Sequence, residues 1–477
     1  MTRKIFKSLT LSLFALSLIP SAHAAPKVAR PPQYVMVGFD GGLNVPFWRE
    51  MDSFSKTLTQ SGKPLNFTYF FSGVYLLKPS KRMLYKGPGH KQGYSMISFG
   101  DSSEGIAERV NFMNTLYKSG ADIASHGNGH FPADEEKWNS ADWNSEFTQY
   151  NDLVFNAFYN NDMNPNNSYP HGFAFEAKDI VGFRAPYLGS TADLFPVLKS
   201  FGYKYDASTT GEMGEWPRKD KYGIWRYPVP LLKIAGTAKR SLAMDYNFYW
   251  VQTKALDDAP NRELYRKQMY DSYMNYFQNS YYGGRGPVYI GHHFVKYNGG
   301  AYWEALKDFT RTVCGKPEVR CVSFKDYTTW LESLTPDAFR AYSVGSFEQM
   351  PESGSGRRIV ARNLDMNLSL ITQNDVLEFQ GSGADYKQSD LKTVLTANSI
   401  KLPGQKVSLK ELRRRFAKEG KVSVSTSVYD RDGVEIQRLT HVVKNLGTPE
   451  EFVDPNSEEN KALLGDMPEA HFESPGN

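Results

Sequence analysis

Between residues 33 and 334 short apolar runs alternate with longer helical patterns, and this alternation limits the possible folds more than any other feature of the chain. "QYVMVGF" (Gln33–Phe39) and "FTYFFSGVYL" (Phe67–Leu76) read as buried strands. "AERVNFMNTLYKSG" (Ala107–Gly120) reads as a helix closed by Gly120, and "ADIAS" after it as a short strand. Further along, "IVGFRAPYLG" is a strand running into a loop, "TADLFPVLKSFG" a helix and "YKYDAS" a strand. A long amphipathic stretch, "NRELYRKQMYDSYMNYFQ", then leads into the strand "GPVYIGHH". Parallel strands need a crossover element between them, so repeated β–α alternation predicts a parallel sheet with helices outside. The expected fold class is α/β, a distorted (β/α) barrel over residues 33–334, with chemistry at the carboxyl ends of the strands.

The pattern changes after Leu334. "NLDMNLSLITQ" alternates Leu364, Met366, Leu368 and Leu370 with polar neighbours, the period-two signature of a half-buried strand. "KVSVSTSVYDRDGVEIQRL" reads as two such strands joined by a turn at Asp432-Gly433. Between them a helix is marked by a capping box, Ser408 with Glu411, and a stop at Gly420. Residues 335–445 are therefore expected to form a smaller β-rich accessory domain, with Arg413, Arg414 and Arg415 on a solvated helix face. Residues 446–477 hold eight acidic residues against one lysine and are expected to be a disordered tail.

The first 24 residues have a basic start, an apolar run from Leu9 to Ile19 and small residues at Ala22 and Ala24, the pattern of a secretory signal peptide. No apolar run approaches the ~20 residues of a membrane-spanning helix. The expectation is an exported protein, periplasmic or secreted, with no transmembrane segment. Cleavage removes Arg3, Lys4 and Lys7, taking the formal charge from +4 to +1. Such near-neutrality gives no reason to expect nucleic acid as a partner. The two cysteines, Cys314 and Cys321, lie close enough in an exported chain to form a local disulfide.

Four of the nine histidines fall in two short motifs, each at the end of an expected strand. "SHGNGH" places His126 and His130 four apart, a spacing that lets neutral imidazoles share one metal ion, with glycines that permit a sharp turn. "YIGHH" ends a later strand with His292 and His293. Asp40 in "VGFDGGLN", Arg184 in "GFRAPYLG", Asp206 in "YKYDAS" and Asp245 in "LAMDYN" fall near the same ends. Each has an ordinary structural explanation; together they supply a base, a metal pair, an acid and an arginine.

In this order, "VGFDGGLN", "SHGNGH", "GFRAPY" and "YIGHH" resemble the polysaccharide deacetylases of carbohydrate esterase family 4, whose catalytic unit is the NodB-type domain. The flanking text looks closest to the branch containing chitin deacetylases. The resemblance implies hydrolysis of the N-acetyl groups of a polysaccharide, peptidoglycan or a chitin-like polymer. It implies a divalent metal cofactor, zinc by the imidazole donors, held by His126 and His130. Asp40 then matches the catalytic base and Arg184 the arginine that orients it. The backbone N–H of Tyr187 would hold the oxyanion, and His292 would be the general acid, with His293 as fallback. Asp245 would tune that histidine or the arginine, with Asp206 behind it. One position departs from the family: its metal-binding aspartate falls on Gly41. Asp40 then serves both as base and as metal ligand, or Asn44 supports the ion, or the metal has been lost and the barrel is a glycan-binding protein.

Overall fold

The computed structural model describes residues 28–347 and, beyond them, 365–371, 376–382, 392–397, 400–402, 406–416, 421–429 and 435–444. The expected signal peptide, acidic tail, Asp432-Gly433 turn and Gly420 stop lie outside the described residues.

The main sheet has ten strands. They are β1 Gln33–Gly41, β2 Thr68–Phe71, β3 Asp122–Ser125, β4 Gly182–Phe183, β5 Tyr205–Gly211, β6 Arg218–Lys219, β7 Trp225–Lys233, β8 Arg240–Leu242, β9 Val288–His293 and β10 Val319–Cys321. Seven of them run in the order β9-β1-β2-β3-β4-β5-β7, and every neighbouring pair is parallel. The ring is completed where β8, antiparallel to β7, continues into Ala243 and Met244. Met244 bridges Gly291, and the Gly291 N–H donates to the Ala243 carbonyl at 2.9 Å. The α/β reading is thus borne out as a distorted barrel, with β10 wedged against the start of β1.

Alternation along the strands sorts side chains into two layers. Val35, Val37 and Phe39 of β1 pack outward with the helices, whereas Met36 packs inward with Phe70, Ala124, Tyr205, Tyr227 and Tyr289. The helix Phe324–Ser333 closes the amino-terminal end of the ring: its Phe324 and Lys325 N–H groups donate to Thr68 Oγ1 and Asp122 Oδ2. The opposite, carboxyl end is left for chemistry.

Two expected strands are shorter than their apolar runs. The run Phe67–Leu76 is strand only over Thr68–Phe71, then turns as a 3-10 helix at Gly73–Leu76. A Cβ on Gly73 would lie 2.2 Å from Asn128 Oδ1, so this turn is seated directly on the His126–His130 loop. Likewise "IVGFRAPYLG" is strand only at Gly182–Phe183 before the turn Pro186–Leu188. The first unit also packs beyond Leu334: the helix Pro336–Ser343 sets Phe339 against Trp225 and Tyr342 against Trp216 and Trp330. Cys314 and Cys321 form the expected disulfide, tying the end of the helix Tyr297–Val313 to β10.

After this unit the described strands form a three-stranded and a four-stranded sheet. The hairpin Lys421–Tyr429 with Glu435–Lys444 is antiparallel as expected. A small core gathers Leu395, Leu402, Leu409, Leu412, Phe416 and Val422 around the helix Leu409–Phe416. Ser408 caps that helix at Lys410, while Glu411 pairs with Arg414 and Arg415.

The inward layer is tight at Gly182, where a Cβ would lie 1.9 Å from the Tyr205 ring. Tyr205 has no slack, because its hydroxyl donates to Asp122 Oδ2 at 2.6 Å. Gly182→Ala should therefore cost about 2–3 kcal/mol of stability. The check is urea unfolding: a lower midpoint at unchanged slope is expected, and an unchanged midpoint would show that the barrel interior yields.

Candidate active site

Asp40 is delivered by the inward alternation of β1 and lies at its carboxyl end, only 3% exposed. Its Oδ1 accepts from Arg184 Nη1 at 2.8 Å, and Arg184 is fully buried. The guanidinium lies over the Phe70 ring, 4.2 Å from its centroid, and Arg184 Nε donates to the Ala207 carbonyl at 3.3 Å. Gly38 makes room for this: a Cβ there would meet the Phe70 ring at 2.6 Å and Arg184 Nη1 at 3.1 Å. The charges are desolvated, so the pair fixes Asp40 in one orientation.

The histidine loop is held from both sides. His126 directly follows β3, and its N–H donates to the Phe71 carbonyl at 2.8 Å. Its Nδ1 lies 2.8 Å from the Arg184 carbonyl, an acceptor only. Nδ1 therefore carries the proton and Nε2 a lone pair. Behind the loop, buried Glu146 accepts from the Asn128 N–H at 2.7 Å and from the Tyr85 hydroxyl at 2.9 Å. Tyr85 in turn accepts from the Gly129 N–H at 3.1 Å. His130 has a left-handed backbone with φ 61°, and its Nδ1 is buried without a hydrogen-bond partner among the described residues. The two imidazole centroids are 5.3 Å apart. Burial holds His126 below its ordinary pKa and His130 well below it, so both rings are neutral.

Asp40, His126, His130, Tyr187 and His293 line one cavity of about 370 Å³. His292 does not reach it, which corrects the expected general acid. In the β1–β9 register Asp40 pairs with His293 and Phe39 with His292, so His292 turns outward with Phe39. There it is 0% exposed, with Nε2 3.1 Å from the Tyr273 hydroxyl. Burial pushes its pKa down to about 4, leaving it no proton to give near neutrality. His293 is the imidazole at the cavity, with a side chain 26% exposed. Asp245 holds it twice, accepting from its N–H at 2.9 Å and meeting its Nδ1 at 2.7 Å.

Asp206 is a second correction. It faces away from the ring and pairs with Arg226 at 3.0 Å, not with Arg184 or a histidine. Its other oxygen accepts from Ser208 Oγ, which accepts from the Ala185 N–H at 2.7 Å, so it braces the turn carrying Tyr187. Tyr187 itself has φ 56°. Asn44 borders the cavity, but its Oδ1 caps the helix Val45–Gln60 by accepting from the Phe47 N–H at 3.3 Å.

Two neutral imidazoles so placed fit one divalent ion. Among the described residues no third protein ligand joins them, which corrects Asp40 as a metal ligand. Asp40 is bound to Arg184, and no group of three His, Cys, Asp or Glu side chains able to hold an ion occurs among the described residues. Gly41 continues from β1 with φ 96°, a conformation that an aspartate would strain to adopt.

Sequence reasoning missed Glu146 and Tyr85. Glu146 had a signal: it interrupts the buried stripe Trp143, Phe147, Tyr150, Val154 of the helix Ser140–Phe155. A carboxylate in such a stripe must be satisfied by something behind it.

No protein-family model matches the chain, and no curated protein matches it either. Solved structures do. One from Mycobacterium smegmatis, assigned as a polysaccharide deacetylase, is 15% identical, with 65% of this chain and 96% of that one covered at a TM-score of 0.40. The chitin deacetylase of the fungal pathogen Colletotrichum lindemuthianum is 12% identical, covering 62% and 90% at a TM-score of 0.32. A pseudoenzyme of carbohydrate esterase family 4 is 8% identical, covering 64% and 70% at a TM-score of 0.32.

Burial alone would lower the His293 pKa, but the Asp245 carboxylate outweighs it and raises the imidazole above its ordinary 6.5. Burial likewise acts to raise Asp245, and His293 and His292 override it, holding the carboxyl below 3.8. The His293 contribution to stability is complete below pH 6.5 and lost as pH rises through the raised value. The Asp245 contribution is present above pH 3.8 and lost as pH falls through the lowered one. Proton NMR of the His293 ring should give a midpoint above 6.5 in the wild type and below it in Asp245→Asn. Equal midpoints would show that the pair does not form.

Proposed function

We propose that the chain is an exported, metal-dependent polysaccharide deacetylase that hydrolyses the N-acetyl groups of N-acetylglucosamine residues, with peptidoglycan the first substrate to test. The observation that carries this reading is the convergence of Asp40, His126, His130 and His293 on one cavity at the carboxyl end of the barrel, with Arg184 bound to Asp40. Peptidoglycan is favoured because the leader resembles a bacterial signal peptide.

An acetamide resists water, so its hydrolysis needs a base for the attacking water, stabilisation of the developing oxyanion and an acid for the departing amine. A divalent ion, zinc by donor chemistry, would sit on His126 and His130 and supply polarisation of the acyl oxygen and a more acidic water. Asp40 takes the water proton: Arg184 occupies Oδ1 and leaves Oδ2 for the substrate side. Water loses a proton to Asp40 as its oxygen bonds to the acyl carbon, and His293 gives a proton to the nitrogen as the C–N bond breaks. Acetate and the free amine leave, and the proton on Asp40 returns to His293 through solvent. His293 delivers its proton from Nε2, since Asp245 holds Nδ1. The backbone N–H of Tyr187 would face the acyl oxygen.

A second reading has its own support in Gly41 and the incomplete ligand set: a barrel that binds N-acetylated glycan without hydrolysing it.

Acetate release from peptidoglycan, chitin and a soluble N-acetylglucosamine polymer separates the two. Wild type should release acetate, a chelator should stop it and added zinc restore it. Asp40→Asn and His293→Asn should each lower kcat by about 10²–10⁴. His126→Ala should abolish co-purified metal by elemental analysis. Binding of these polymers without acetate from any of them would overturn the hydrolase in favour of the glycan-binding barrel.

A further inference from the structure

The space that a residue-41 side chain would enter is bordered by a phenol. A Cβ built on Gly41 would lie 3.9 Å from both the hydroxyl and Cε2 of Tyr75, its nearest neighbours. Tyr75 lines the same cavity as Asp40, His126 and His130, and is 9% exposed. Among the described residues its hydroxyl has no hydrogen-bond partner, although its ring edge packs against Phe71.

The Tyr75 backbone is fixed with respect to both halves of the site. The Ser72 N–H donates to the Gly41 carbonyl at 3.1 Å, and the Gly73 N–H to the Gly127 carbonyl at 2.9 Å. Arg109 Nη1 donates to the Tyr75 carbonyl at 2.9 Å. Gly100 passes beneath so closely that a Cβ there would lie 2.5 Å from that carbonyl oxygen. A backbone held this firmly, with the phenol bordering the cavity, places the hydroxyl to meet a ligand.

Resting on the deacetylase reading, we propose that Tyr75 is a further substrate-binding residue, whose hydroxyl donates a hydrogen bond to the acyl oxygen of the bound N-acetyl group. In this site a neutral donor stands beside the position where the family places a metal-binding carboxylate. Burial pushes the phenol's pKa up to about 12 against the opposing charge of Arg109, so the hydroxyl keeps a proton to donate. The arrangement offers the carbonyl a hydrogen bond that does not depend on how firmly the two histidines hold an ion.

The test uses Tyr75→Phe, which keeps the ring and removes the donor, with a pentamer of N-acetylglucosamine as probe. Calorimetry measures affinity in the Asp40→Asn background, and infrared spectroscopy follows the stretch of isotope-labelled acetyl carbonyls. Loss of the hydroxyl should weaken binding by about three- to tenfold. It should lower kcat by about a hundredfold in the otherwise wild-type enzyme. The bound carbonyl stretch should move to higher frequency, and a matching thermal midpoint establishes that the variant is folded. Hydroxyl-dependent binding and carbonyl shift without any acetate release would sink the deacetylase reading and leave Tyr75 as an acetamide donor. Acetate release with affinity, kcat and carbonyl stretch all indifferent to the hydroxyl would sink the Tyr75 proposal and leave the deacetylase. No binding of the pentamer, with no acetate released from it or from peptidoglycan, would sink both.

Discussion

The ion pair between Asp40 and Arg184 joins the two ends of the site. Both side chains are buried, and the distance of 2.8 Å is that of a charge-assisted hydrogen bond. Removing both charges from water costs several kcal/mol each, recovered only where geometry and further hydrogen bonds are good. Here the guanidinium lies on the Phe70 face and donates to Ala207, while the Arg184 carbonyl accepts from His126. One residue thus sets the direction of the carboxylate with its side chain and the tautomer of an imidazole with its backbone. Substituting Arg184 disturbs both, and leaves Asp40 a buried charge without a partner.

The barrel was legible in the sequence because parallel strands buried on both faces must be apolar runs, and the helices between them carry their own period. The site was legible where chemistry required an unusual residue at a strand end: Asp40, His126, His130 and Arg184 all stand where a β–α reading puts them. His292 was misassigned because matching a motif by spacing ignores the pleat. Counting alternate residues inward from Tyr289 through Gly291 reaches His293, so the information was present in β9 itself. Glu146 showed in the sequence only as a carboxylate within a buried stripe, and its partner could not be read, nor could Tyr85 or Tyr75, since their roles come from contacts across long sequence separations: Glu146 and Tyr85 are 61 residues apart.

The histidine loop shows why its three intervening residues are Gly, Asn and Gly. A Cβ on Gly129 would lie 2.6 Å from the Tyr85 hydroxyl, and one on Gly127 would lie 3.2 Å from Glu146 Oε1. The glycines let the loop backbone approach the buried carboxylate closely enough to satisfy it. Asn128 then supplies both an N–H to Glu146 Oε1 and a side-chain amide to the Glu146 carbonyl. The imidazole spacing is therefore fixed by the helix behind the loop as well as by the loop itself.

Charge balance then separates this cavity from one built around three metal ligands. Asp40 is neutralised by Arg184 and Asp245 by His293, while His126 and His130 are uncharged. A dication entering such a site meets no uncommitted carboxylate among these residues, so its desolvation is offset chiefly by two lone pairs and whatever water stays with it. A carboxylate at position 41 would change that sum by one full charge at the shortest range. Gly41 instead leaves the site close to neutral, with the Tyr75 phenol next to the open space. Electrostatically, a neutral polar group is better matched to this cavity than a bare cation is.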